Sequence, residues 1–157
     1  MSKRLLERLF AERWCPFHEF MDRREELDSP GVYVLAYSGR DLDGRTVQAD
    51  EVFYVGMSRA VGGLRSRLKQ FQSGIENGKS HSAAGRFFRD HSRSRGYTKL
   101  RSNKKLFAAA LCIPCEVKKD RRTAKDLRLM GQVARLEYEV LAHIKELTGK
   151  EPELNKQ

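Results

Sequence analysis

The sequence predicts an α/β (α+β) fold, in which a small antiparallel sheet of about three strands is flanked by helices. Two kinds of pattern lead to this prediction. Residues 31–37 and 52–55 are rich in aromatic and β-branched side chains, as strands are, and the polar connection between them contains the turn-forming pair Asp43-Gly44. Other segments repeat apolar residues every three to four positions, which is the period of an amphipathic helix.

The chain has 157 residues, which fits one domain of ordinary size. Within this single domain we interpret residues 1–30 as an N-terminal helical extension and residues 31–157 as the main body. A helix is predicted over residues 2–13, because leucine and phenylalanine residues follow helical spacing there. The segment Asp28-Ser29-Pro30-Gly31 then interrupts regular structure and leads into the first strand.

The second strand is followed by a predicted helix with an apolar stripe formed by Leu64, Leu68, Phe71 and Ile75. Arg67 falls on the flank of this stripe and can reach a neighbouring surface, whereas Lys69 points away from it. Glycines end the helix near residue 78. A shorter basic helix is predicted over residues 83–91, and a third strand over residues 107–113.

The longest predicted helix covers residues 123–149. Thr123 begins it, with Asp126 three residues on as a capping box, and Gly149 ends it. Glu137 lies near the centre of its apolar stripe, where a carboxylate is costly unless it is paired or bound to a metal ion. From the residues alone, a metal site and a salt bridge to an arginine of a neighbouring element explain Glu137 equally well.

The chain carries a formal net charge of +10, from 31 Lys and Arg against 21 Asp and Glu. The excess is concentrated between residues 79 and 122. Such a basic stripe suits a polyanion, because each Lys or Arg that meets a phosphate releases counterions. A solvated basic face that only aids solubility is the alternative. The candidate nucleic-acid contacts are Arg65, Lys69, Arg86, Arg89, Lys104 and Lys105.

No apolar run approaches the roughly 18 residues of a membrane span, and the N-terminus lacks the apolar core of a signal peptide. We therefore expect a cytoplasmic protein without membrane association. Three cysteines are an odd number, which argues against a disulfide framework. Cys15 and His18, with Cys112 and Cys115, have the two-residue gaps of a zinc site. Against zinc, Cys112 ends an apolar run that is typical of a buried strand, where free cysteine commonly serves as a small hydrophobic residue, so zinc is not expected.

Several polar residues and short motifs follow one another in a distinctive order: Gly31-Val32-Tyr33, Tyr54-Val55-Gly56, Leu64-Arg65-Ser66-Arg67-Leu68, His81, Glu137 and Pro152-Glu153-Leu154-Asn155. This order resembles the catalytic core of the GIY-YIG nucleases, and the resemblance extends from Gly31 to Asn155. The connection between the two tyrosines is longer than is usual in that family and looks more like its restriction-enzyme branch. Each motif alone is common in strands and helices.

The resemblance implies a role for each matched residue. Tyr33 would activate the attacking water, and Tyr54 would support the phosphate and water network. Arg67 would be the catalytic arginine, with Arg65 as the fallback assignment. Glu137 would bind the metal, a single Mg²⁺ or Mn²⁺ ion. His81 would make a catalytic or phosphate contact, and Asn155 would brace the site. A cross-strand aromatic pair that merely packs is the alternative for the two tyrosines.

The function expected from these observations is that of a metal-dependent DNA endonuclease, a phosphodiester hydrolase of restriction or phage-defence type. A structure-selective repair or recombination nuclease and a catalytically silent nucleic-acid-binding module are the alternatives. The expected partner is duplex or branched DNA. Sequence specificity would then come from the loop over residues 38–51, from the basic segment, from a homodimer or from a partner protein.

Overall fold

The computed structural model describes residues 2–77, 82–91 and 105–155. Its four strands are β1 (Cys15–Pro16), β2 (Gly31–Tyr37), β3 (Val52–Ser58) and β4 (Leu106–Cys112). The helices are α1 (Ser2–Ala11), α2 (Phe17–Arg23), α3 (Gly63–Asn77), α4 (Ser82–His91) and α5 (Ala124–Thr148). The strands form one antiparallel sheet in the order β1-β4-β2-β3. The predicted mixed α+β class is confirmed.

The three long strands correspond to the three predicted ones, but their ends differ. β3 continues beyond the expected residues 52–55 to Ser58, and β4 begins and ends one residue earlier than expected. The short strand β1 was not predicted. It pairs Cys15 with Ala108 and Pro16 with Phe107, and two residues are too few for an alternating pattern to be visible in the sequence.

Helices cover both faces of the sheet. As a consequence, every residue of β2 except the half-buried Tyr37 is buried. One face packs against α2, α3 and α4 through a cluster that includes Tyr33, Tyr54 and Phe71. The other face packs against α1 and α5 through a cluster that includes Val34 and Leu136. β2 lies in the interior of the sheet, whereas β3 forms an edge. The edge of β3 is therefore the place where residues from α3 and α5 can meet.

α5 begins and ends as the sequence predicts. Thr123 Oγ1 accepts a hydrogen bond from the backbone N–H of Asp126, whose carboxylate accepts one from the backbone N–H of Thr123. Gly149 ends the helix at φ 79°, in the left-handed region that favours glycine. The apolar pattern of α5 includes Leu127 and Leu147 near its two ends, but these two side chains are 50% and 65% exposed. Of the helices described, none is long and apolar enough to cross a membrane.

The segment interpreted as an N-terminal extension contributes side chains to both faces of the sheet. Leu9 and Trp14 are buried on the α5 face, and Phe17 and Phe20 are buried on the α3 face. Trp14 also donates a hydrogen bond from Nε1 to the Glu51 carboxylate, at 2.7 Å. Residues 2–28 thus share the core of the main body.

The loop over residues 38–51 packs against the N-terminal segment. Leu42 and Val47 are buried, and the backbone N–H groups of Gly44 and Val47 donate hydrogen bonds to the carbonyl oxygens of Trp14 and Glu12. The loop joins the end of β2 to the start of β3, so it lies at the end of the hairpin opposite Tyr33. Four residues of strand, about 13 Å, separate Tyr33 from Tyr37 at the start of the loop.

We expect Gly31→Ala to lower the free energy of unfolding by about 3 kcal/mol. A Cβ at Gly31 would lie 2.3 Å from the carbonyl oxygen of Leu111, and neither backbone can shift without disturbing the pairing of β2 with β4. Gly131 is the matched control, because it lies in α5 with nothing within 4 Å of the added Cβ. Gly131→Ala should raise stability by about 1 kcal/mol.

Urea unfolding followed by circular dichroism measures both glycine variants against the wild type. Equal effects of the two substitutions, in either direction, would contradict the close packing of β2 against β4 at Gly31.

Candidate active site

Tyr33 and Tyr54 lie on the same face of the β2–β3 hairpin, at diagonal positions rather than directly opposite each other. In the register, Tyr33 pairs with Gly56 and Tyr54 pairs with Leu35. The centroids of the two tyrosine rings are 5.9 Å apart. On its other side Tyr54 stacks on Phe71 of α3, with ring centroids 5.7 Å apart. The two phenols are therefore held close together by packing from both strands and from α3.

Gly56 makes room for Tyr33. A Cβ at Gly56 would lie 2.5 Å from both Cζ and the hydroxyl oxygen of Tyr33, so the tyrosine ring occupies the place where a side chain would otherwise stand. Because β3 is the edge strand, a ring that crosses Gly56 directs its hydroxyl toward that edge. This explains why a glycine is needed at position 56, two residues after Tyr54.

The two phenols have raised pKa values. Burial is the largest cause for each, and Tyr33 is fully buried while Tyr54 is 8% exposed. The charge of Arg67 lowers the pKa of both. The hydrogen bond between the two hydroxyls raises the pKa of Tyr33 and lowers that of Tyr54. Neither tyrosine can act as a base near neutral pH without additional positive charge nearby.

Glu137 lies on α5 with its carboxylate half-buried. Burial raises the pKa of the Glu137 carboxyl above its ordinary value, and the charges of Arg67 and Arg59 lower it in part. Among the residues that the structure describes, none donates a hydrogen bond to this carboxylate or forms a direct ion pair with it. A salt bridge, the alternative explanation of Glu137, is therefore absent from the described part of the chain.

Arg67 and Arg59 line one open cleft of about 330 Å³ beside Glu137. Arg67 comes from α3, and its Nη1 donates a hydrogen bond to Gln70 Oε1 at 3.2 Å. Arg59 follows directly after β3 and is exposed. The remaining lining residues are small or neutral: Met57, Ser58, Ala60, Ser66 and Gln70. The cleft is thus positively charged and contains no carboxylate of its own.

Asn155 pairs with the backbone of β3 through its side-chain amide. Its Nδ2 donates to the carbonyl oxygen of Val55, and its Oδ1 accepts from the backbone N–H of Val55, both at 2.8 Å. The neighbouring Leu154 N–H donates to the carbonyl oxygen of Phe53 at 2.9 Å. The end of the chain therefore satisfies the open edge of β3 on both sides of Tyr54, which fixes the strand that carries this tyrosine.

Arg86, predicted as a phosphate contact, points into the protein instead. It is half-buried, and its Nη2 donates to the carbonyl oxygen of Leu154 at 2.6 Å. Its Nε is buried without a hydrogen-bond partner in the described part of the structure. The charge of Arg86 also lowers the pKa of Tyr54. Arg86 thus holds the C-terminal segment against α4, a role that basic composition does not reveal.

Arg65 is committed to structural contacts and is not part of the site. Its guanidinium donates to the Asp28 carboxylate at 2.7 Å and to the backbone carbonyls of Met21 and Arg24 at 2.7 and 2.8 Å. These bonds tie α3 to the segment before β2. These contacts do not support the fallback assignment of Arg65 as the catalytic arginine, and its role as a nucleic-acid contact stays a prediction. Lys69 is exposed on α3, as expected.

The other basic residues that were predicted to contact nucleic acid, and His81, either lie away from the site or fall outside the described residues. Lys105 is exposed beside the start of β4, which pairs with the end of β2 far from Tyr33. His81 and Lys104 lie outside the described residues, and so does the side chain of Arg89. Arg59 was not predicted, although its place directly after a strand that carries a tyrosine motif is a signal that could have indicated it.

The potential zinc ligands do not converge. Cys15 pairs with Ala108, whereas Cys112 lies four residues further along β4, a distance of about 13 Å. Burial is the main cause that raises the pKa of Cys112 to about 11, which keeps its thiol protonated. Within the described residues no three His, Cys, Asp or Glu side chains cluster as metal ligands. In the described structure, Cys15 and Cys112 therefore do not lie close enough to share one ion.

Five of the predicted site residues therefore meet at the edge of β3, and we call them the β3-edge site: Tyr33, Tyr54, Arg67, Glu137 and Asn155. Asn155 fixes the strand, the tyrosines share a hydrogen bond, and Arg67 acts electrostatically on both phenols and on Glu137. Comparisons of the chain with protein-family models, with curated proteins and with solved structures found no match.

Proposed function

We propose that the protein is a metal-dependent DNA endonuclease that hydrolyses phosphodiester bonds at the β3-edge site. The observation that supports this most is electrostatic: Arg67 from α3 and the carboxylate of Glu137 from α5 both act on the hydrogen-bonded phenols of Tyr33 and Tyr54. A cation, a carboxylate and a proton-accepting pair are the groups that phosphodiester hydrolysis needs. The likeness to GIY-YIG nucleases supports the same proposal.

Each residue of the β3-edge site has its own role in the proposed hydrolysis. The pair formed by Tyr33 and Tyr54 first loses one phenolic proton to solvent, and the resulting phenolate accepts the proton of the attacking water. The resemblance implies Tyr33 as the water-activating residue and Tyr54 as its hydrogen-bond partner. Arg67 stabilises the negative charge that grows on the phosphoryl oxygens, and it favours an ionised phenol through the same charge. Asn155 keeps Tyr54 in place through the backbone of β3.

The residues present suit a single Mg²⁺ or Mn²⁺ ion bound by Glu137. The half-buried carboxylate lacks a hydrogen-bond donor among the described residues, and hard divalent cations prefer carboxylate oxygen, often with water and substrate oxygens as the other ligands. Such an ion would supply positive charge at the scissile phosphate and at the leaving oxygen. Glu137 must be ionised to bind it, so its raised pKa makes binding weaker as the pH falls.

Incubation of the wild type with supercoiled plasmid and with a branched DNA, in Mg²⁺, Mn²⁺ or EDTA, tests the proposal. We expect nicked or linear product with either metal ion and none in EDTA, because neither phenol can act as a base without added positive charge. The preferred substrate separates a restriction-type endonuclease from a repair or recombination nuclease. Tight DNA binding without cleavage of either substrate would instead indicate a silent nucleic-acid-binding module.

A further inference from the structure

The cleft that Arg59 and Arg67 line differs from a larger cleft elsewhere in the described structure. The larger one, of about 620 Å³, lies at the β1 edge of the sheet and contains four arginines. Two of these, Arg23 and Arg24, form ion pairs with carboxylates. The cleft at the β3 edge has a volume of about 330 Å³, two arginines and no carboxylate. Its positive charge is therefore not neutralised from within.

Arg59 is the arginine that the mechanism leaves without a role. Its side chain is exposed, and within the described part of the chain it forms no hydrogen bond or direct ion pair. Its charge acts on Glu137, as does that of Arg67. The charges that most affect the phenols of Tyr33 and Tyr54 include Arg67 but not Arg59. Arg59 thus lies in the same cleft as Arg67, displaced from the reacting groups.

We propose that this cleft is a subsite for the phosphate next to the scissile one, with Arg59 as its anion-binding residue. The inference rests on the proposed function, in which Arg67 serves the scissile phosphate. A nucleic-acid strand presents one phosphate per nucleotide, so a second guanidinium beside the first meets the neighbouring phosphate. Ser66 and Gln70 supply neutral donors in the same cleft, whose volume lies within the range of ordinary ligand sites, about 300–1,000 Å³.

The substrate class follows from this arrangement. A phosphodiester with a second phosphate one nucleotide away fills both positions, whereas an isolated phosphate ester fills only one. The protein therefore recognises internal bonds of a polynucleotide and binds small phosphodiesters poorly. Recognition of this kind depends on backbone charge and carries no sequence information.

Nucleotide binding without turnover tests the subsite. Isothermal titration with thymidine 3′,5′-bisphosphate and with thymidine 5′-monophosphate, both in Ca²⁺, gives a ratio of affinities for each variant. We expect the wild type to favour the bisphosphate about tenfold, as one charge-assisted hydrogen-bonded contact provides, and Arg59→Gln to reduce the ratio to about one. Arg128→Gln is the matched control, because Arg128 is an exposed arginine on α5 that does not line this cleft.

The outcomes separate this inference from the proposed function. An unchanged ratio in Arg59→Gln, a ratio of one in the wild type, or no binding of either nucleotide would overturn the subsite, even if the wild type cleaves plasmid DNA. A preference that disappears in Arg59→Gln and survives in Arg128→Gln supports the subsite, even if no cleavage is found. Because Arg59 is exposed, its replacement should leave the melting temperature unchanged.

Discussion

Glu137→Gln is expected to reduce metal-dependent DNA cleavage by about 10³-fold. The substitution keeps the shape of the side chain but removes the charge that would bind the cation. DNA binding in EDTA should remain within about twofold of the wild type, because the basic surface is unchanged. Cleavage is measured as the rate of plasmid nicking, and binding is measured by fluorescence anisotropy of a duplex.

Glu139→Gln is the matched control for this prediction. Glu139 lies two residues further along α5, on the exposed side of the helix, where it forms an ion pair with Arg135 at 3.3 Å. An exposed pair of this kind contributes little to stability. We expect Glu139→Gln to cleave as fast as the wild type. If Glu137→Gln retains most of the activity, the assignment of Glu137 as the metal ligand is wrong.

Thermal unfolding provides a second measurement for Glu137 that does not depend on cleavage. Burial raises the pKa of Glu137 in the folded protein, so ionisation of this group opposes folding. The cost is absent below the ordinary pKa of a glutamate and complete once the pH exceeds the raised value. At neutral pH without metal, Glu137→Gln should therefore be more stable, by about 1 kcal/mol. Mn²⁺ should raise the melting temperature of the wild type and leave that of Glu137→Gln unchanged.

Tyr33→Phe and Tyr54→Phe should each reduce cleavage by about 10²-fold or more. Each substitution breaks the hydrogen bond between the two hydroxyls and removes one of the two groups that can accept the proton of the attacking water. The rings would still fill the same space, so the free energy of unfolding should change by only about 1 kcal/mol. Plasmid nicking in Mn²⁺ and urea unfolding measure the two effects.

Tyr138→Phe is the control for the tyrosine variants, because Tyr138 is 61% exposed and lies outside the β3-edge site. It should cleave like the wild type. The alternative view of Tyr33 and Tyr54 as a packing pair predicts normal cleavage by both phenylalanine variants. Normal cleavage by both would therefore exclude the phenols from proton transfer, and loss in one variant alone would identify the residue that acts.

Local patterns predicted much of the fold, because the forces involved act over a few residues. The β-branched and aromatic content of β2 and the capping residues Thr123 and Gly149 placed their elements within a residue or two. Two features were not predicted from local patterns, for physical reasons. β1 depends on pairing with β4 rather than on its own sequence, and the exposure of Leu127 and Leu147 depends on which elements pack against α5.

The candidate site was predictable where a residue type is unusual in its setting. Glu137 is a charged residue in an apolar stripe, and Gly56 is a glycine inside the strand that carries Tyr54. The arginines were not predictable in this way, because the chain has many of them. Arg65 binds backbone carbonyls and Arg86 holds the C-terminal segment, whereas Arg59 lines the cleft beside Glu137.

By itself the sequence determined the class of the fold, the hairpin with its two tyrosines, and the long helix that carries Glu137. Periodicity and capping are properties of neighbouring residues, so they can be identified from the sequence alone. Only the tertiary structure decided which basic residues face the site and how the edge of β3 is closed. The hydrogen bonds of Asn155 to Val55 span a separation of 100 residues, and contacts of that range depend on how the whole chain packs.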